Sequence, residues 1–146
     1  MKTAPINSSD CICRAVREAS RSLTNAYDRA LAPSGLRTTQ FTLLSVLERQ
    51  SVASVNQLSE DLGIDQTTTT RNLNVLESAG FVERVPHHDT RVKLMKLTSK
   101  GKQRRQAAIE CWQEVQDQIK TSVSKEEWKT FQKVLRRIEN SCRQLQ

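Results

Sequence analysis

Four residues, Leu62-Gly63-Ile64-Asp65, constrain the fold of this chain more than any other stretch. They separate two short segments with helical patterning, about Val55 to Leu62 and about Gln66 to Ala79. Ser54 and Gln57 have the spacing of a capping box at the start of the first. Gly63 stops that helix, Asp65 is placed to cap the second, and Gly80 stands where a helix ends in a left-handed residue. A short turn containing glycine between two short helices is the sequence form of a helix-turn-helix. Leu73, Leu76 and Ala79 give the second helix its core stripe, and the other face reads Gln66, Thr67, Thr68, Thr70 and Arg71. Consecutive threonines are poor helix formers, because β-branching restricts the side chain there. A face that presents small hydroxyls and methyls to base edges accounts for them.

The segment after Gly80 strengthens a nucleic-acid reading. Phe81 to Val85 and Val92 to Leu97 are strand-like, and Pro86-His87-His88-Asp89-Thr90-Arg91 is the polar turn between them. A helix-turn-helix followed at once by a basic hairpin is a winged helix. From Phe81 to Arg105 the basic residues are Arg84, Arg91, Lys93, Lys96, Lys100, Lys102, Arg104 and Arg105, against Glu83 and Asp89. The segment therefore holds nearly all of the chain's net charge of +7, an electrostatic footprint for a polyanion.

Helices flank this lobe. Ser9 or Asp10, at the end of a loose tail 1–9, is placed to cap a helix running to about Ala32. Ile12, Val16, Ala19, Leu23, Ala26 and Ala30 form its narrow apolar stripe, and Pro33-Ser34-Gly35 breaks it. A helix at about Thr38 to Arg49 shows Phe41, Leu44 and Leu47 on one face. Two helices close the chain, about Thr98 to Thr121 and Lys125 to Leu145. The first carries Ala108, Cys111, Trp112, Val115 and Ile119. The second opens with the capping pair Ser124 and Glu127 and carries Trp128, Phe131, Leu135, Ile138, Cys142 and Leu145. A chain of 146 residues with 36% apolar content has little against which to bury so many terminal stripes, so they read as an interface with a second copy. The fold class is mainly α with a small β-hairpin wing. One domain, 1–146, places a DNA-binding lobe at 36–97 between dimerisation helices at 10–34 and 98–145.

These residues together resemble the MarR family of bacterial transcriptional regulators. The resemblance rests on Leu36-Arg37-Thr38-Thr39-Gln40-Phe41, the turn Leu62-Gly63-Ile64, Leu76-Glu77-Ser78-Ala79-Gly80-Phe81-Val82, and Asp89-Thr90-Arg91 running into Leu97-Thr98-Ser99-Lys100-Gly101. It implies a winged-helix homodimer on a pseudo-palindromic double-stranded operator, usually as a repressor. Carried onto this chain, it implies recognition-helix contacts from Gln66, Thr67, Thr68, Thr70 and Arg71. It also implies that Arg91 enters the minor groove, held by Asp89. A guanidinium suits the negative potential of a narrow minor groove, and a neighbouring carboxylate orients its fork. Arg84 and His88 complete the expected DNA contacts.

The resemblance also implies an effector, such as an oxidant or a phenolic small molecule. Cys11 and Cys13 fall in the first turn of the first helix, where the helix terminus, Arg14 and Arg17 favour thiolates. The chain also resembles the organic-hydroperoxide-sensing branch of the family, which implies that Cys13 is the reactive cysteine and Tyr27 its tyrosine. The branch's second tyrosine falls at Thr38. Residues 13 and 27 of one helix stand about 21 Å apart, so they meet only across an antiparallel pair of chains. Cys111 and Cys142 fall on apolar stripes and read either as small core residues or as a resolving thiol for Cys11 or Cys13. Trp112 and Phe41 are either core or the lining of an effector pocket. His87 and His88 are adjacent and no Cys-x-x-Cys is present, so no metal is expected, nor any other cofactor. No nucleophile-base set or paired carboxylates point to catalysis. No secretory signal or membrane-length apolar run occurs, and four cysteines without a signal fit the reducing cytoplasm. The rival readings are a basic architectural protein that coats DNA without reading it, and a thiol-disulfide enzyme using Cys11 and Cys13.

Overall fold

The structure is a computed structural model that describes residues 11–145. The expected tail and the Ser9 and Asp10 caps lie outside the described residues. The chain divides into two compact units, one ending at Trp112 and the other beginning at Gln113.

In the first unit, α1 (Ile12–Leu31) passes through a 3-10 turn (Ala32–Ser34) into α2 (Thr38–Gln50). Gly35, at φ 72°, turns the chain in the left-handed region. Asp28 then caps α2 from outside: its Oδ1 accepts from both the N–H and the Oγ1 of Thr38, each at 2.7 Å. The one-sided stripe expected for α2 is too narrow. Leu43 and Val46 are buried as well as Phe41, Leu44 and Leu47, because α2 runs through the middle of the lobe and packs on α1, α3, α4 and the sheet. Leu43, Leu44 and Leu47 are wholly enclosed, each worth roughly 2–3 kcal/mol of transfer free energy.

A strand that sequence patterning did not show, β1 (Val52–Ser54), comes after α2. Next come α3 (Val55–Leu62), α4 (Gln66–Ser78), β2 (Val82–Val85) and β3 (Leu94–Leu97), with the antiparallel sheet ordered β1-β3-β2. Ala53 faces Met95, and Val82 faces Leu97. The strands are shorter than expected at two ends. Phe81 belongs to the helix exit, its N–H donating to Leu76 O at 2.9 Å. Val92 N–H donates to Asp89 O at 3.1 Å and stays in the turn, so the connection runs through Lys93.

α5 (Ser99–Lys120) begins in this unit. Ala108 is fully buried, and Ile109, Cys111 and Trp112 pack against the same core. Part of the stripe expected to meet another chain is thus used within this one. Phe41 and Trp112 stack on each other with centroids 6.1 Å apart, Phe41 within the buried core and Trp112 packed against it.

The second unit contains the rest of α5 and α6 (Lys125–Gln144). Ser124 and Glu127 form the expected capping box. None of the described residues of α6 is buried. Trp128 and Phe131 lie 5.9 Å apart on it, and both are more than two-fifths exposed.

Candidate nucleic-acid interface

The turn between α3 and α4 is built as its residues dictate. Ser54 Oγ accepts from Gln57 N at 3.2 Å, and Gln57 Oε1 accepts from Ser54 N at 2.8 Å. Gly63 adopts φ 60°, the left-handed exit, and Ile64 N–H returns to Ser59 O at 3.1 Å. Asp65 then caps α4, accepting from Thr68 N at 2.8 Å and from Thr68 Oγ1 at 2.6 Å. These bonds from Thr68 hold the Asp65 carboxyl below its ordinary range.

The threonine run has more than one purpose. Thr69 is completely buried, with Ser59 Oγ 2.9 Å from its Oγ1, and it donates to Asp65 O at 3.1 Å. Thr68 is occupied by the cap. Gln66, Thr67 and Arg71 are exposed and Thr70 is half-buried. Two of the four threonines therefore serve the fold, and the outward face is Gln66, Thr67, Thr70 and Arg71.

The wing presents one oriented cation. Arg91 grips Asp89 with both arms of its fork: Nε donates to Oδ1 at 3.1 Å and Nη2 to Oδ2 at 2.9 Å. The Arg91 N–H adds a bond to Oδ1 at 2.9 Å. The Arg91 side chain is nonetheless 89% exposed, so the pair aims the guanidinium without burying it. The Arg91 side chain, more than any other group, holds the Asp89 carboxyl below its ordinary range. His87 Nδ1 accepts from Asp89 N at 3.1 Å and the His87 ring packs 4.1 Å from that of His88, which is exposed.

Recognition helix and wing meet in a concave notch of about 340 Å³, lined by Gln66 and Thr70 of α4, Ser54, Val55 and Asn56 at the start of α3, and Arg91, Val92 and Lys93 of the wing. Among the described residues no carboxylate lines it. Asn56 and Lys93 are additions to the expected site. Lys93 was legible only as one charge among many, and Asn56 only as a polar residue beside a cap.

Much of the basic segment points elsewhere. Arg84 is held by Glu77, Nε to Oε1 at 3.0 Å, so it ties β2 to the end of α4. Lys96 pairs with Glu83 at 3.1 Å. Lys100 donates to Ala79 O, Arg104 to Ser34 O and Arg105 to Ser45 Oγ. Arg84 and Lys96 are thus offset by carboxylates of the chain, whereas Lys100, Arg104 and Arg105 keep their charge but have donors engaged by neutral oxygens.

Cys11 is the N-cap residue of α1, Cys13 follows in the first turn, and both thiols are free and exposed. Arg14, expected to favour a thiolate, instead pairs with Glu18 at 2.7 Å. Cys111 is half-buried and Cys142 exposed. Burial raises the Tyr27 pKa. Among the described residues no cluster of His, Cys, Asp or Glu forms a metal site, and no helix is long and apolar enough to cross a membrane.

Fold and site together define a winged helix-turn-helix protein. The sequence profile of the MarR family matches residues 36–93. The M. tuberculosis transcriptional regulator MosR, solved in complex with DNA, is 36% identical, with 92% of this chain and 99% of that one covered and a TM-score of 0.79. The HTH-type transcriptional regulator YdgJ of Bacillus subtilis (strain 168) is 28% identical over 116 residues, 79% of this chain and 71% of that protein. A mutant MarR from E. coli, complexed with operator DNA, shares the fold at 22% identity, with a TM-score of 0.82 over 93% of this chain and 99% of that one. This chain belongs to the MarR family: it is a DNA-binding transcriptional regulator and not an enzyme.

Proposed function

We propose that two copies of the chain act in the cytoplasm as a repressor, gripping a pseudo-palindromic operator and releasing it when an effector arrives. The observation that carries this is the notch where Gln66 and Thr70 stand beside Arg91, itself aimed by Asp89. Such a site engages the base edges of one groove and the potential of the next at the same time. In this reading Thr67 and Arg71 extend the major-groove face, His88 lies beside phosphate, and Arg84 acts indirectly by holding the sheet to α4. Selection of bound duplexes from a random pool tests it. An enriched sequence with two-fold symmetry is the expected result, and uniform retention of all duplexes points instead to an architectural protein.

An oxidant is the effector that the cysteines favour. Cys11 and Cys13 are exposed thiols at a helix N-terminus whose first turn has no acidic residue. An organic hydroperoxide would oxidise the Cys13 thiol to the sulfenic acid, its O–O bond breaking and the remainder leaving as the alcohol. The position of the family branch's second tyrosine is occupied by Thr38, which is bonded to Asp28, so the tyrosine pair of that branch is not reproduced. Repeating the duplex selection with peroxide, and with Cys13→Ser, separates this from a response to a phenolic ligand. Release that persists in Cys13→Ser removes the thiol from the mechanism.

A further inference from the structure

A helix that reads bases must be held at a fixed attitude, and the residues that hold the end of α4 come from the approach to α5 and its first turns. Thr98 Oγ1 donates to Gly80 O at 2.6 Å, Thr98 N–H to Phe81 O at 3.1 Å, and Lys100 Nζ to Ala79 O at 2.8 Å. Gly101 lets the two backbones touch, since a Cβ there would stand 1.9 Å from Phe81 O.

Arg104 carries this attachment across the lobe. Its guanidinium lies over the Phe81 ring, 5.2 Å from the centroid, while Nη1 donates to Ser34 O at 2.8 Å. Phe81 is buried and directly follows the glycine that ends α4. Ser34 is buried in the turn between α1 and α2, where its Oγ donates to Leu31 O at 2.6 Å. One side chain thus touches both the exit of the recognition helix and the turn that joins the first two helices. A planar guanidinium can stack on a ring and donate in its own plane at once, which an ammonium cannot do as well.

We propose that Arg104 is a positioning residue for sequence discrimination: it fixes α4 relative to the α1–α2 turn and does not itself touch nucleic acid. The proposal rests on the reading that α4 recognises a duplex. A phosphate contact and a mount leave different signatures. Losing a phosphate contact weakens all duplexes alike and lowers the salt dependence, because fewer counterions are released. Losing a mount tilts the proposed base-edge contacts, which depend on geometry, and leaves the diffuse electrostatic attraction in place.

The test uses the full chain, a duplex enriched from the random pool, and a random duplex of equal length. Arg104→Met is expected to weaken the enriched duplex by roughly tenfold relative to the random one, with the slope of log K against log salt unchanged. Arg104→Lys, which keeps a charge and one donor, is expected to fall between Arg104→Met and the wild type. A slope lowered by about one, with both duplexes weakened alike, makes Arg104 a phosphate contact and overturns the proposal. Equal losses at unchanged slope, or no loss on either duplex, overturn it too. If Arg104→Met fails to fold, Arg104→Lys decides: a selective loss of about threefold at the wild-type melting temperature supports the mount, and wild-type binding sinks it. A wild type that enriches no duplex is a distinct result, which removes the underlying reading and this proposal with it.

Discussion

Thr68 and Thr69 are neighbours of one residue type with separate tasks, and that difference can be measured. Thr69 is fully enclosed, and its hydroxyl links α4 to Ser59 on α3. Thr69→Val keeps the shape and removes that link, so it should lower unfolding free energy by about 1 kcal/mol and leave duplex affinity intact. Chemical denaturation alongside fluorescence anisotropy checks both halves; lost affinity without lost stability would move Thr69 into the interface. Arg91 is the opposite case, an exposed cation whose folded contact is confined to the wing. Arg91→Ala should weaken the enriched duplex by roughly tenfold, and Arg91→Lys should recover little, because the ammonium has no fork for Asp89 to orient. Anisotropy titrations at one fixed salt concentration decide it, and full recovery by lysine would mean that only charge matters.

Elements bounded by punctuation were legible in the sequence. The Ser54, Asp65 and Ser124 caps and the Gly63 and Gly80 exits are local chemistry, and the structure reproduces them. β1 was not legible, since three residues are too few to show a period of two, and Val52–Ser54 is a strand only because β3 lies beside it. The destinations of Lys100, Arg104 and Arg105 were hidden for the same reason: their partners lie 21, 70 and 60 residues away. The candidate site fared similarly. Gln66 and Thr70 were proposed from helix patterning and Arg91 from the family resemblance, and the fold sets these three around one notch with Asn56 and Lys93, which sequence reading did not single out. Gly101 stood in the sequence as part of a familiar string, and the structure supplies its reason. Gly101→Ala should cost about 2 kcal/mol or more, because the atom it meets is a backbone oxygen with no side-chain freedom to retreat. A urea midpoint equal to that of the wild type would show that α5 and the α4 exit at Phe81 can part at this point.

At the scale of the whole molecule, two helices carry apolar surfaces that the described residues of the chain leave exposed. Ile12, Val16 and Leu23 of α1 are 61%, 42% and 42% exposed, and Trp128, Phe131 and Val134 of α6 are 42%, 48% and 43% exposed. Each surface lies along one helix with polar residues elsewhere on it, an arrangement that is costly in water unless something covers it. In the proposed dimer a second copy is the cover, and that arrangement also makes functional sense. Two lobes joined rigidly bind two half-sites about one helical turn apart, and the second contact then forms at high effective concentration. Phe131→Asp puts a charge into that surface at a position that contributes nothing to the notch. It should turn a dimer into a monomer in sedimentation at micromolar concentration. It should also weaken a two-half-site duplex by about a hundredfold while leaving a single half-site nearly unchanged. Loss on both duplexes alike would mean that the substitution damages the DNA-binding lobe, and a dimer that persists would place the association surface elsewhere. Only the combination of a lone subunit and intact half-site binding shows that affinity for the whole operator comes from joining two weak readers.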